Sequence, residues 1–261
     1  RSRGLGDVYK RQSYESNKKA VMKKNPKYWG GEVKSDGVEY TKVTDANALA
    51  MSLQGGEVDI AQDLTVDAAE NIAKKDNLVV KRVAQPRVYQ MYFNLNKMQD
   101  KAVREAIMYG VNKKDIGEKL MKGAVSAAYS AFPDDSAYGA KNLKPRMFDA
   151  AKAKQILADA GYKDTNGDGI VEKDGKPLTV QFSVYKRAAI APIATEMQAQ
   201  LKQIGIDVQI KNFEKATFFA PGDFDIGLYY VVTMPVGDPY DFLYNAYDTV
   251  SYTHLTLPTI Y

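Results

Sequence analysis

Residues 164–175, DTNGDGIVEKDG, place oxygen-bearing side chains at the spacing of a calcium loop. Asp164, Asn166 and Asp168 fall at positions one, three and five, and Gly169 falls at the sixth, where such a loop turns sharply. Taken alone, the pattern points to a calcium-binding protein or a calcium-dependent hydrolase. The twelfth position argues against it, because Gly175 stands where a bidentate Glu closes the ion's shell and Asp174 comes one residue early. Asn166-Gly167 and Asp174-Gly175 are also turn dipeptides. The stretch therefore reads as a helix end, a turn, a short strand and a second turn, with Asp164, Asn166 and Asp168 kept as the calcium alternative.

Other reactive chemistry is sparse. The 261 residues include no cysteine and one histidine, His254, which excludes disulfides, thiolate catalysis and multi-histidine metal sites. There is no nucleophile–base pair, phosphate loop or dinucleotide glycine pattern. The adjacent acids Asp134 and Asp135 sit in a polar loop without a convergent partner. No enzyme activity and no cofactor are expected. What remains suits binding: 18 tyrosines provide stacking and hydrogen-bonding surface. Arg187, between a strand and a helix in VYKRAAIAP (184–192), has the fork geometry for a carboxylate. The body is nearly neutral. Residues 1–12 carry four basic residues and one acid, three of the four net positive charges, so no nucleic-acid partner is expected.

The elements that must position these residues alternate between strand and helix. Strands are expected at 38–43, 58–61, 78–84, 88–95, 178–185, 206–210 and 224–232, from β-branched and aromatic runs. Asp45, Asp67, Asp100 and Asp149 sit where they can cap helices. The second of these helices is expected to open at Asp67, with Glu70 at capping-box spacing. Val103, Ala106, Ile107, Gly110 and Val111 form one apolar stripe, and Ile193, Met197, Leu201 and Ile204 another. A second short helix is expected from Ile116, Leu120 and Met121, stopping at Gly123, and an irregular loop over 124–147. This alternation argues an α/β architecture. No apolar run reaches the roughly 18 residues of a membrane span.

Six segments, in order, carry a resemblance. They are NPKYWGG (25–31) with DANALAMSLQGGEVDIA (45–61), MYFNLNK (91–97), DKAVREAIMYGVNKKDI (100–116), AAKAKQILADAGYKDTNGDGIVEKDGKPLTVQF (150–182), IATEMQAQLKQIGIDVQI (193–210) and FDIGLYYVVTMPVGDPYDFL (224–243). Together they resemble the family 5 solute-binding proteins of ABC importers, the peptide/nickel-binding class. The resemblance implies a two-lobed class II clamshell, of which this chain holds mostly the second lobe and part of the first. On that basis residues 13–90 are expected to be a partial first lobe and 91–249 an incomplete second lobe. Residues 1–12 and 250–261 look like non-native tails.

The resemblance further implies a small solute, a peptide, nickel or a nickel chelate, as ligand, and ABC permease subunits as partners. It implies a monomer located in the periplasm or anchored as a cell-surface lipoprotein. The candidate ligand contacts are Tyr89, Asn94, Tyr185, Arg187, Thr233 and Asp238. Tyr89 shares a strand face with Met91 and Phe93, so core packing competes with ligand contact there. For Asp238, capping the turn into a following helix is favoured over ligand contact. In dipeptide binders of the family an acid lies three residues before the Asp of the Asp-Pro pair. Pro235 takes that position here, which favours a chelate over a peptide. Trp29 is expected to pack on the first lobe rather than stack on a ligand.

Overall fold

A computed structural model describes residues 7–83, 85–133, 136–139, 143–214, 218 and 224–245. The tail read at 250–261, with His254, and the pair Asp134-Asp135 lie outside these residues. The chain forms two compact units that divide between Val80 and Lys81.

The first unit is a three-stranded antiparallel meander followed by two helices. Its strands are β1 (Tyr9–Glu15), β2 (Lys19–Lys24) and β3 (Gly37–Thr41), in the order β1-β2-β3. β1 begins inside the segment read as a tail and pairs with β2 from Tyr9 to Glu15, with a register shift between Arg11 and Ser13. The helices are α1 (Ala46–Gln54) and α2 (Val66–Ala73). Asp45 caps α1 as expected, accepting from the Asn47 and Ala48 amides. Thr65, not Asp67, caps α2 by accepting from the Ala68 amide. Asp67 instead lies in the first turn, where its charge complements the helix dipole.

Two expected strands in this stretch do not form. Residues 58–61 and 78–83 have no ladder partner among the described residues, and Ile60, Val79 and Val83 stay about four-fifths exposed. β propensity is realised only where a neighbouring strand and a buried face exist. Trp29 also departs from expectation. It is 82% exposed, with its ring 5.6 Å from that of Tyr28.

The second unit is built on a four-stranded mixed sheet of β4 (Arg87–Phe93), β7 (Thr179–Tyr185), β8 (Asp207–Phe213) and β9 (Ile226–Val232), in the order β4-β9-β7-β8. β7 runs parallel to β8 and β9, whereas β4 is antiparallel to β9. Between β4 and β7 come α3 (Lys101–Gly110), α4 (Lys113–Asp115) with a π-helical turn at Ile116–Leu120, and α5 (Ala150–Asp159). A two-strand hairpin, β5 (Glu172–Lys173) and β6 (Lys176–Pro177), follows. α6 (Ile190–Gln203) joins the parallel strands β7 and β8, and α7 (Tyr240–Leu243) follows β9.

The expected apolar stripes are the ones buried. Val103, Ala106 and Ile107 of α3 and Ile193, Met197 and Leu201 of α6 are at most 4% exposed. The Val, Ile, Met and Leu side chains among them are each worth about 1.5–3 kcal/mol on burial. β7 is buried on both faces from Phe182 to Tyr185, as a central strand covered on both sides should be. Gln200 ties α6 to the chain after α3, accepting the Asn112 amide through Oε1 at 2.7 Å.

Candidate functional site

The strand directions bring one set of ends together. β7 and β9 are parallel, so their C-termini share an end of the sheet. β4 runs the other way, so its N-terminus joins them. Burial along β9 falls off toward that end: Ile226–Leu228 are buried, and Tyr229–Val232 are only partly so. Loops at the carboxyl ends of parallel strands are where α/β proteins place ligand groups.

The β4–β9 register sets Tyr89 opposite Tyr230. Their rings stack with centroids 4.6 Å apart and planes at 30°. Arg187, just past the end of β7, lays its guanidinium Cζ 4.2 Å from the Tyr230 ring centroid. Arg87, at the start of β4, places its own Cζ 5.4 Å from the same ring. One tyrosine thus carries two guanidinium groups and a stacked second ring. Stacking on a ring orients a guanidinium while its N–H groups lie in the guanidinium plane, the geometry that forks onto a carboxylate.

Tyr185 sits behind this pair. It is 3% exposed, with its ring 5.0 Å from that of Tyr229 and 5.8 Å from that of Phe218. Burial pushes its phenol up, against the lowering effect of the Tyr230 backbone and of the Arg187 charge. Gly227 makes room for Phe218: a Cβ at this position would stand 2.9 Å from Phe218 Cζ. Tyr229 also packs on the neighbouring cluster of Tyr92, Phe132 and Phe242.

The other three expected residues make hydrogen bonds within the chain. Asn94 is buried, and its Oδ1 accepts the Asn96 amide in the turn that ends β4. Thr233 has no exposed surface, and its amide and hydroxyl both donate to the Pro86 carbonyl, at 3.1 and 3.4 Å. Asp238 is exposed and accepts the Tyr240 amide at 2.7 Å, at the start of α7. Of the six candidates, the structure draws Tyr89, Tyr185 and Arg187 together. It adds Arg87 and Tyr230, which sequence reasoning missed because only strand pairing reveals them; Tyr229, next to Tyr230 in β9, lies on the other face of the sheet with Tyr92 and Phe242.

The loop 164–175 is a hairpin, as its turn residues suggest. Asp174 and Gly175 both take positive φ, 53° and 71°, in the two-residue turn between β5 and β6. Asp164 accepts the Gly167 and Gly169 amides, and Asp168 accepts the Ile170 amide. Asn166 Oδ1 accepts the Asp168 amide, and its Nδ2 donates to Asp168 Oδ2.

Comparison with known proteins extends over nearly the whole chain. The family described as bacterial extracellular solute-binding proteins, family 5 middle, matches residues 7–253. The oligopeptide-binding protein AppA of Bacillus subtilis is 31% identical over 211 residues, 79% of this chain and 39% of AppA. The nickel-binding periplasmic protein of Escherichia coli is 28% identical over 239 residues, 88% of this chain and 45% of its own length. The crystal structure of NikA from Brucella suis in complex with Fe(III)-EDTA superposes with a TM-score of 0.85 at 25% identity. It covers 97% of this chain and 53% of that one. The chain therefore spans about half the length, or less, of the proteins it matches. None of these relatives is named as a calcium sensor or a calcium-dependent hydrolase.

Proposed function

This chain belongs to the bacterial extracellular solute-binding proteins of family 5, and from that premise we propose that the whole protein captures a carboxylate-bearing solute for an ABC importer. The carrying observation is the stack of Arg187, Tyr230 and Tyr89, with Arg87 over the same ring. Two guanidinium groups beside an aromatic wall suit a small anionic or zwitterionic solute. Peptides and metal chelates of amino or carboxylic acids share that chemistry. Pro235, in place of the acid that dipeptide binders of the family use, favours the chelate. With no cysteine and a lone His254, a nickel ion itself is held within its organic chelator rather than by this chain.

In this reading the first unit is part of one lobe and the second unit most of the other. Lobe closure around the solute supplies the affinity, by a hinge motion between open and closed states. The protein is non-catalytic, acts as a monomer outside the cytoplasmic membrane, held there as a lipoprotein or free, and hands its solute to permease subunits.

The test uses full-length protein and a calorimetric panel of short peptides, free nickel, nickel–histidine and nickel–EDTA. Binding of a carboxylate-bearing solute in this panel supports the reading. Heat only with free nickel, or with nothing, overturns it.

A further inference from the structure

The hairpin before β7 holds a separate group of ligand-type oxygens. One carboxylate oxygen from each of Asp164, Asp168 and Glu172 lies within 4.8 Å of the other two. Three carboxylates this close repel one another unless positive charge stands among them. The nearby Lys173 ammonium is directed to Asp100, at 3.3 Å.

Glu172 carries a second observation. The residue is only 8% exposed. Its Oε2 accepts from the Thr165 amide at 2.7 Å and from the Thr165 hydroxyl at 2.8 Å. Its Oε1 is buried and has no partner among the described residues. A buried carboxylate oxygen left without a donor or a cation is costly, and native proteins rarely leave one so. Asp164 and Asp168 are already aimed by the loop amides, yet each oxygen that accepts one N–H retains a second lone pair.

We propose that this hairpin binds one calcium ion through Asp164, Asp168 and Glu172. Calcium takes oxygen ligands at about 2.3–2.6 Å, so oxygens across the ion lie at most about 5 Å apart, and the observed cluster fits. Glu172, at the ninth position of the loop, supplies the acidic ligand that Gly175 cannot supply at the twelfth. The ion acts as a structural brace. Val171, beside Glu172, donates its amide to the Gly205 carbonyl between α6 and β8, so the loop's geometry is coupled to the second unit's core. Nothing in this site depends on which solute the protein carries.

The test is equilibrium dialysis and thermal melting of the 261-residue chain with calcium chloride after chelator treatment, with no solute present. One calcium per chain is expected, with a Kd on the order of 10⁻⁴–10⁻³ M, as for extracellular modules. The melting temperature should rise by about 2–5 °C at ~10 mM calcium. Glu172→Gln keeps the side chain's shape, and Asp168→Asn alters an exposed position. Each should weaken binding about tenfold or more, with an unchanged circular dichroism spectrum. No bound calcium at ~10 mM, or equal affinity in the wild-type chain and Asp168→Asn, overturns the proposal. Should Glu172→Gln fail to fold, the Asp168→Asn comparison decides alone.

Discussion

Arg187 and Tyr230 meet face to charge, with the guanidinium carbon 4.2 Å from the ring centroid, although 42 residues separate them in the chain. The contact exists because β7 and β9 run parallel and end together, so the residue just past one strand reaches the ring near the end of the other. If this guanidinium holds a solute carboxylate, Arg187→Ala should weaken solute binding by about 10–100-fold, the usual worth of a charged hydrogen bond. Arg187→Lys should recover only part, since an ammonium neither forks nor stacks as well. Calorimetry on full-length protein checks both, and equal affinities across the three proteins would remove Arg187 from the site.

Gly205 is expected to tolerate no side chain. It takes φ +91° between α6 and β8, and an added Cβ would lie 2.7 Å from Val171 Cγ1 and 3.4 Å from the Val171 amide nitrogen. Left-handed strain costs about 1–2 kcal/mol and overpacking about 1–3 kcal/mol. Gly205→Ala should therefore lower stability by about 2–4 kcal/mol. Urea unfolding monitored by circular dichroism measures this, and a loss below about 0.5 kcal/mol would contradict the crowding.

Phe182 tests where the second unit's core lies. It is fully buried in the central strand β7. Phe182→Ala should cost about 3–5 kcal/mol through lost transfer energy and a residual cavity. The same substitution at the exposed Phe148 should cost within about 0.5 kcal/mol. Comparable losses at the two sites would refute the assignment.

A pH dependence follows from the contact of α3 with the hairpin. The Tyr162 hydroxyl donates to Asp100 Oδ2 at 3.0 Å, and Lys173 approaches the same oxygen at 3.3 Å. Burial first, and then the Asp100 carboxylate, push the Tyr162 phenol up to about 12. The folded state thus favours the neutral phenol. That stabilisation is fully present below the ordinary tyrosine value of about 10 and is lost as pH rises toward 12.

Asp100 is displaced the other way. Burial alone would raise its carboxyl, but the Ala102 amide, the Tyr162 hydroxyl and the Lys173 ammonium together hold it below its usual value. Its contribution is present above the ordinary carboxylate value and fades as pH falls through the depressed one. Tyr162→Phe should therefore destabilise the protein more at about pH 8 than at about pH 12, where the wild type has also lost the bond. Urea midpoints of both proteins at the two pH values measure this, and an equal gap at both would sink the argument.

Much of this molecule is legible locally. Helix α3 follows from Asp100 and its stripe, α5 from Asp149, and α6 from four apolar residues at helical spacing, because capping and periodicity are encoded within one or two turns. The hairpin at 164–175 follows from its turn dipeptides for the same reason. β1 escaped because its exposed, charged run shows no alternation, and 78–83 misled because β propensity without a partner makes no ladder. Asp67 lost the cap to Thr65, two residues earlier, a competition that residue type alone does not decide.

The amino-acid sequence by itself determined the family, through the order of its segments, and with it the α/β class, the helix caps and the absence of cysteine chemistry. Tertiary structure alone decided which side chains face one another. Tyr89 stacks on Tyr230 because β4 pairs with β9 in one register, and a slip of one residue would put them on opposite faces. Thr233 is sealed against Pro86, 147 residues away in the chain, by the pairing of β4 with β9. Periodicity and capping are short-range and can be read along a chain, whereas register and burial are set only when remote segments meet.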